Sequence, residues 1–195
     1  KLLSEKKWAE DLGTWGSSPI VADGVLIVPT YPGRQVGLQG RDPATGKVRW
    51  QVDEVCARTA TPAIARVGQR EYVLCGAAEG ELTLIDPKTG EKLWRIDGLG
   101  PNPQTLQPVD GKVLVNIVPR ERGVLARYAA YAFDTEGAKL AWEFPDRLRL
   151  KHEWWPDTGA HRRLAIGDGV VHFLTNTRKE RGAPRHKVWA RVDLD

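Results

Sequence analysis

The sequence predicts an all-β fold, a partial β-propeller of four-stranded antiparallel blades. Three observations predict it: a line of residues recurs along the chain, a short hairpin signal precedes each copy, and no convincing helical periodicity interrupts them. With 195 residues, 41% of them hydrophobic, the chain can bury a real core. Disorder is therefore not expected.

The recurring line runs from an Asp to a Trp eight positions later. It reads Asp-Pro-Ala-Thr-Gly-Lys-Val-Arg-Trp at 42–50, Asp-Pro-Lys-Thr-Gly-Glu-Lys-Leu-Trp at 86–94 and, more loosely, Asp-Thr-Glu-Gly-Ala-Lys-Leu-Ala-Trp at 134–142. Asp bonds its own backbone two residues on, Pro presets the first turn dihedral, and Gly supplies a positive φ, as in a tight hairpin. The third copy has its Gly one position earlier, so its turn should differ in detail.

This line is predicted to dock each blade on its neighbour. Apolar residues alternate through Val48, Trp50 and Val52, which assigns them to one face of the sheet. A large flat face of this kind suits packing against an adjacent sheet. The predicted docking residues are Asp42, Gly46, Trp50, Asp86, Gly90, Trp94, Asp134 and Trp142.

The spacing of the repeats sets the expected blade boundaries. The Asp anchors are separated by 44, 48 and 61 residues, close to the length of a propeller blade except for an insertion in the last. A β-sandwich is the alternative, but it gives no reason for the same spacing to recur. Two open edges would be covered by further blades of the same chain. We expect the end of a preceding blade at 1–12, blades at 13–55, 56–99 and 100–146, and an incomplete blade with long loops at 147–195.

Strand directions assign the longest connections to one face of the disc. From each Trp to the next inner strand is 11 or 12 residues, but 22 after Trp142, and the segments 119–123 and 177–186 are also long. Long loops on a rigid scaffold often carry binding sites, with Arg pairing anionic groups and Trp offering a stacking face. The alternative is that the Arg-rich loops are solvated surface without a binding role. Trp154 and Trp155 would then cover an exposed blade interface. The candidate ligand- or partner-binding residues are Arg120, Arg122, His152, Trp154, Trp155, His161, Arg178 and Arg181.

Other chemistries find less support in the residues. His152, Glu153, Asp157 and His161 are of metal-ligand type, but adjacent His and Glu point apart in an extended chain, so no metal site is predicted. A serine hydrolase elbow and a nucleic-acid recognition motif are both absent from the sequence, and the formal net charge is only +4. No apolar run is long enough to span a membrane.

The two cysteines, Cys56 and Cys75, are too few for a disulfide framework. They are predicted to be buried thiols, because free Cys is often interior. One disulfide remains open if the protein is exported.

The recurring line resembles the tryptophan-docking repeat, Ala-x-Asp-x-x-Thr-Gly-x-x-x-Trp, of the pyrroloquinoline-quinone-like (PQQ-like) propeller family. The resemblance covers essentially the whole chain and implies a disc of about seven or eight blades in a periplasmic or secreted protein. In that family the motif is structural, so it does not separate enzyme from scaffold. The quinoprotein dehydrogenases of the family have an adjacent Cys pair, whereas Cys56 and Cys75 are nineteen positions apart.

These expectations favour a non-catalytic module of a larger exported protein. It would bind a protein or a saccharide on the long-loop face and would carry no catalytic residue, metal or cofactor. The alternative implied by the resemblance is a piece of a quinoprotein alcohol or sugar dehydrogenase, with PQQ and Ca²⁺ in the complete propeller. Nucleic acid is not an expected partner, and no membrane span is expected.

Overall fold

The computed structural model describes residues 17–30, 37–56, 60–76, 80–99, 106–117, 127–143, 164–167, 170–177 and 186–193. Every regular element in these ranges is a β-strand, which confirms the predicted all-β class. Within the same ranges, no helix is long and apolar enough to cross a membrane.

The strands form four separate antiparallel sheets, each made from consecutive strands in chain order. The first sheet contains β1 (Ile20–Ala22), β2 (Val25–Thr30), β3 (Gly37–Arg41) and β4 (Val48–Val52). The second contains β5 (Ala63–Val67), β6 (Arg70–Gly76), β7 (Leu82–Ile85) and β8 (Lys92–Ile96). The third contains β9 (Pro108–Val109), β10 (Lys112–Ile117), β11 (Arg127–Phe133) and β12 (Ala138–Glu143). The fourth contains β13 (Leu164–Gly167), β14 (Val170–Thr177) and β15 (His186–Asp193).

The second sheet is buried on both faces, because successive side chains of a strand point to opposite sides. Val73, Cys75 and Ile85 pack in one apolar cluster with the first sheet. Leu74 and Leu84 pack in a second cluster with the third sheet. Sheets stacked face to face in chain order are the arrangement of propeller blades.

In the first three sheets the first strand is the innermost. Strand β1 contacts β5 and β6, and β5 contacts β9, so the first strands of neighbouring sheets lie side by side. The outermost position in these three sheets belongs to the fourth strand, which carries the recurring Trp. This order from inside to outside confirms the partial propeller predicted from the repeats.

The recurring Trp links one sheet to the next. The Nε1 of Trp50 donates a 2.8 Å hydrogen bond to the carbonyl oxygen of Pro87. The ring lies against two glycines, one in its own sheet and one in the next turn, because a Cβ on Gly40 or Gly90 would overlap it. Trp50 therefore packs on the turn of the next copy of the line.

The third turn differs from the first two, as the position of its Gly implies. In the first turn the Asp42 amide donates to the Lys47 carbonyl at 2.9 Å, and Gly46 has a φ of +73°. In the third turn the Asp134 amide already closes on the Gly137 carbonyl at 3.0 Å. The Nε1 of Trp94 donates to the Asp134 carbonyl at 2.7 Å, one residue earlier in the line than the Pro87 acceptor.

The assignment of Val48 to the docking face was wrong. A β-bulge pairs Val48 with Arg41 but Trp50 with Gly40, so two steps along β4 match one step along β3. Since adjacent residues of β3 face opposite sides, Val48 and Trp50 do too. Val48 is accordingly 48% exposed, whereas Trp50 is buried.

Candidate functional site

The two ends of the sheets differ in the connections they carry. One end, the tight-turn end, carries the hairpins between first and second strands and between third and fourth strands. The other end, the long-loop end, carries the remaining connections. Three inner strands begin at the long-loop end, and the polar residues just before them form what we call the inner-strand rim: Ser17, Ser18, Thr61 and Gln107.

The inner-strand rim links neighbouring sheets through hydroxyl groups. The backbone N–H of Ser18 donates a 3.1 Å hydrogen bond to the Oγ1 of Thr61, which precedes the inner strand of the second sheet. Ser18 is exposed, whereas Ser17, Thr61 and Gln107 are partly buried. Hydroxyl and amide groups both donate and accept hydrogen bonds, so this rim suits a neutral polar ligand.

Farther from the axis, the long-loop end of the second sheet holds a self-contained ion cluster. The guanidinium of Arg95 contacts Glu81 Oε1 at 3.0 Å and Asp97 Oδ1 at 2.7 Å. The hydrogen bond to Asp97, more than any other contact, raises the pKa of Arg95. Because its charge is already matched by two carboxylates, Arg95 orders the strand ends β7 and β8 and is a poor anchor for an anionic ligand.

The two cysteines lie close to the same end. Cys56 follows β4, and Cys75 is the second-last residue of β6. Both are buried in the apolar cluster between the first and second sheets, as the sequence predicts.

The predicted binding residues Arg120, Arg122, His152, Trp154, Trp155, His161, Arg178 and Arg181 lie outside the described residues. Their assignment therefore stays a prediction. The strands that flank them are described, and each ends or begins at the long-loop end: β10 and β11, β12 and β13, β14 and β15. The inner strand β13 begins at Leu164, 22 positions after Trp142, as the sequence predicts.

The tight-turn end carries charges that join the first two sheets. Asp23 Oδ2 lies 2.9 Å from Lys88 Nζ and 3.8 Å from Arg70 Nη2, and Arg70 also contacts Asp86 of its own sheet at 3.1 Å. Arg70 also stacks over the ring of Tyr72 at 5.1 Å. Each surface ion pair of this kind contributes little to the free energy of unfolding. Their main effect is to hold the two turns in position.

Sequence reasoning missed a cleft at the tight-turn end. It has a volume of about 660 Å³ and lies between the inner hairpins of the second and third sheets, lined by Ile64, Arg66, Val67, Gly68, Pro108, Val109, Asp110, Gly111 and Phe133. Its cationic lining group, Arg66, is paired with Glu71 at 3.3 Å. No sequence signal announces this cleft, because it arises only where two hairpins diverge.

The resemblance implies a quinone and Ca²⁺ in the complete propeller. Ca²⁺ is held by six to eight oxygen ligands, with carboxylates foremost among the side chains. The described inner-strand rim offers hydroxyls and one amide, and no group of three or more His, Cys, Asp or Glu residues in the described ranges is arranged to hold a metal. This part of the rim does not fit that pair.

Comparison with known proteins gives a family and several longer relatives. A family model described as outer membrane protein assembly factor BamB, built on the PQQ-like repeat, matches residues 37–152. The quinohemoprotein alcohol dehydrogenase ADH IIB of Pseudomonas putida is 33% identical over 142 residues, which are 66% of this chain and 20% of that protein. The dehydrogenase subunit of the alcohol dehydrogenase (quinone) of Gluconacetobacter polyoxogenes is 28% identical over 202 residues, 84% of this chain and 26% of that protein.

Solved structures agree on the fold. A europium-containing methanol dehydrogenase matches with a TM-score of 0.60 at 18% identity, over 87% of this chain and 37% of that one. The chain thus spans about a fifth to a quarter of the length of the two curated relatives it matches. A likeness at this identity concerns architecture alone.

Proposed function

Because this chain belongs to the PQQ-like repeat family whose model is described as outer membrane protein assembly factor BamB, we propose that it is the binding part of a non-catalytic propeller. In this proposal the blades belong to a larger exported protein, periplasmic or secreted. A protein partner docks on the long-loop end. Saccharide is the other ligand class that the same polar groups suit.

The observation that carries the proposal is that the uncharged groups of the inner-strand rim both donate and accept hydrogen bonds. Ser18 is exposed there and Thr61 accepts its backbone N–H at 3.1 Å. Such groups can pair with the amide and carbonyl groups of a polypeptide without having to desolvate a charge. The Arg and Trp residues predicted for the neighbouring connections would add bidentate and stacking contacts around this neutral centre.

A photo-crosslinking experiment on the full-length protein tests the binding role. A photoreactive amino acid replaces Ser18 in one variant and Ala44 in another, because Ala44 is also exposed but lies in a tight turn at the opposite end. We expect a partner adduct from position 18 and none from position 44. Replacing Trp154 and Trp155 together with Ala should reduce that adduct. Equal labelling from both positions would refute a partner site at the long-loop end.

A second candidate, a segment of a quinoprotein dehydrogenase, is favoured by the 33% identity to a quinohemoprotein alcohol dehydrogenase. PQQ would then supply two-electron oxidation of an alcohol, and Ca²⁺ would sit beside it in the complete propeller. The hydroxyls and the one amide of the described rim do not suit them. Calorimetric titration of the full-length protein with PQQ and Ca²⁺ separates the candidates: stoichiometric binding favours the dehydrogenase, and no heat of binding favours the binding propeller.

A further inference from the structure

The two cysteines of the chain meet at one buried point. Cys56 lies in the connection from the first sheet to the second, and Cys75 lies in β6, nineteen positions later. Their side chains are 3% and 1% exposed and share one apolar cluster that also contains Val55, Val73 and Ile85. The cluster joins the first two sheets.

The two thiols lie near each other in this cluster. The Cys56 thiol donates its one hydrogen to the carbonyl oxygen of Ala60 at 3.3 Å. The Cys75 thiol lies close enough to the Cys56 thiol for the neighbouring sulfur to raise its pKa. The two side chains are therefore neighbours within one buried cluster.

We propose that Cys56 and Cys75 form a disulfide that closes by exchange with a low-molecular-weight disulfide such as oxidised glutathione. One cysteine thiolate attacks the oxidant, giving a mixed disulfide and releasing one glutathione thiol. The second thiolate then displaces the second glutathione thiol and forms the Cys56–Cys75 bond. The chain loses two hydrogens and two electrons, and the oxidant gains both as two thiols.

Burial determines when this exchange takes place. Desolvation, and then the contact with Cys56, raise the pKa of the Cys75 thiol well above its usual range. The reactive thiolate is therefore scarce in the folded protein, so the bond closes during folding or local opening. Oxidation removes both S–H groups, and with them the weak hydrogen bond from Cys56 to the Ala60 carbonyl.

The bond would covalently tie the connection between the first two sheets to the end of strand β6 in the second. A closed loop of this length restricts the unfolded chain and stabilises the folded one. The connection leads directly to Thr61 of the inner-strand rim, so the bond also fixes one side of the proposed binding end. The inference itself needs no ligand and holds whichever candidate function is correct.

The experiment refolds the full-length protein from denaturant in reduced and oxidised glutathione, so that burial does not block the oxidant. Trypsin separates the two cysteines into peptides 50–58 and 71–88. We expect these peptides joined, with a mass lower by two hydrogen atoms than their sum, and separate again after reduction. The oxidised protein should melt on the order of 5 to 10 °C above the reduced one, and this difference should vanish in Cys75→Ala.

Three results would overturn the proposal. In the first, both peptides remain open to alkylation after oxidative refolding. In the second, the cysteines carry only glutathione or link separate chains. In the third, the protein with the disulfide melts at a lower temperature than the reduced protein. Peptide mapping uses the unsubstituted protein, so it gives a result even if Cys75→Ala does not fold. Loss of partner crosslinking at position 18 would leave the mapping result unchanged, so this test and that of the proposed function fail independently.

Discussion

Trp50 of the first sheet donates its indole hydrogen to the backbone carbonyl of Pro87 in the second sheet, at 2.8 Å. The donor stands on an outermost strand, and the acceptor stands in the turn of the same recurring line one blade later. Trp94 repeats the relationship with the carbonyl of Asp134 at 2.7 Å. One motif therefore supplies both the side chain that docks and the turn that receives it.

Trp50→Phe should test the hydrogen bond apart from the ring. Phe keeps an apolar ring in the interface but leaves the Pro87 carbonyl without its donor, which should lower the free energy of unfolding by about 1–3 kcal/mol. Trp50→Ala also removes the ring and should cost about 3–5 kcal/mol. Chemical denaturation of the full-length protein measures both. A Phe variant as stable as the unsubstituted protein would contradict the role of the hydrogen bond.

Gly90→Ala should be among the more damaging glycine substitutions in the described chain. Gly90 has a φ of +77°, and a Cβ there would lie 2.7 Å from Cδ2 of Trp50. A left-handed conformation alone costs a residue with a Cβ about 1–2 kcal/mol, and displacement of the docked ring adds to it. The fall in melting temperature should therefore exceed that of a variant strained in φ only.

Three other glycines supply the controls for Gly90→Ala. Gly98 has a φ of +83° with open space around it, so Gly98→Ala isolates the backbone penalty. Gly40 has an ordinary φ, but a Cβ there would overlap the Trp50 ring, so Gly40→Ala isolates the steric penalty. Gly137 has neither feature. If Gly90→Ala were no worse than Gly137→Ala, the proposed contact between turn and indole would be wrong.

The sequence predicted the parts of the fold that local chemistry dictates. The Asp, Gly and Trp of the recurring line each have a conformational or packing reason to be where they are, so strand order and sheet stacking followed from spacing. The side on which Val48 lies did not follow, because a bulge inserts one unpaired residue and reverses the alternation. Nothing in a period-two pattern marks that residue.

The sequence predicted which end of the sheets carries the candidate site, but not the contacts within it. Strand direction is enough to assign a connection to one end of a sheet, and the described strand ends agree with that assignment. Contacts between connections on different blades depend on packing over long sequence separations. The bond from Ser18 to Thr61 and the meeting of Cys56 with Cys75 span 43 and nineteen positions, and no local pattern announces either.

Asp42 should titrate with a pKa of about 2, below its usual 3.8. The hydrogen bond from Arg49, 2.6 Å away, is the largest cause, and backbone and side-chain bonds from Thr45 and Ala44 add to it. A carboxyl with a lowered pKa contributes stability that is fully present above its unfolded pKa and is lost as the pH falls toward the folded value. The carboxyl carbon shift of Asp42 followed by NMR between about pH 2 and 5 measures the pKa.

Arg49→Gln is the matched test of the cause. Without the guanidinium, the pKa of Asp42 should move back toward its usual value, and the acid-induced loss of stability should begin at a higher pH. Asp42→Asn should abolish this part of the pH dependence. Titration of Asp42 at its usual pKa in the unsubstituted protein would show that the contact with Arg49 does not hold in solution.

Glu54→Gly should stabilise the protein. Glu54 has a φ of +57°, and the residue at the same distance after the next Trp is Gly98, with a φ of +83°. Relief of the left-handed strain should raise the free energy of unfolding by about 1–2 kcal/mol. The greater freedom of Gly in the unfolded chain should lower it by about 0.5–1 kcal/mol. The expected net increase is roughly 0.5–1 kcal/mol. Glu54→Ala removes the carboxylate but keeps the strain, so it should not share the gain. Equal melting temperatures for the Gly and Ala variants would mean that the backbone at this position is not strained.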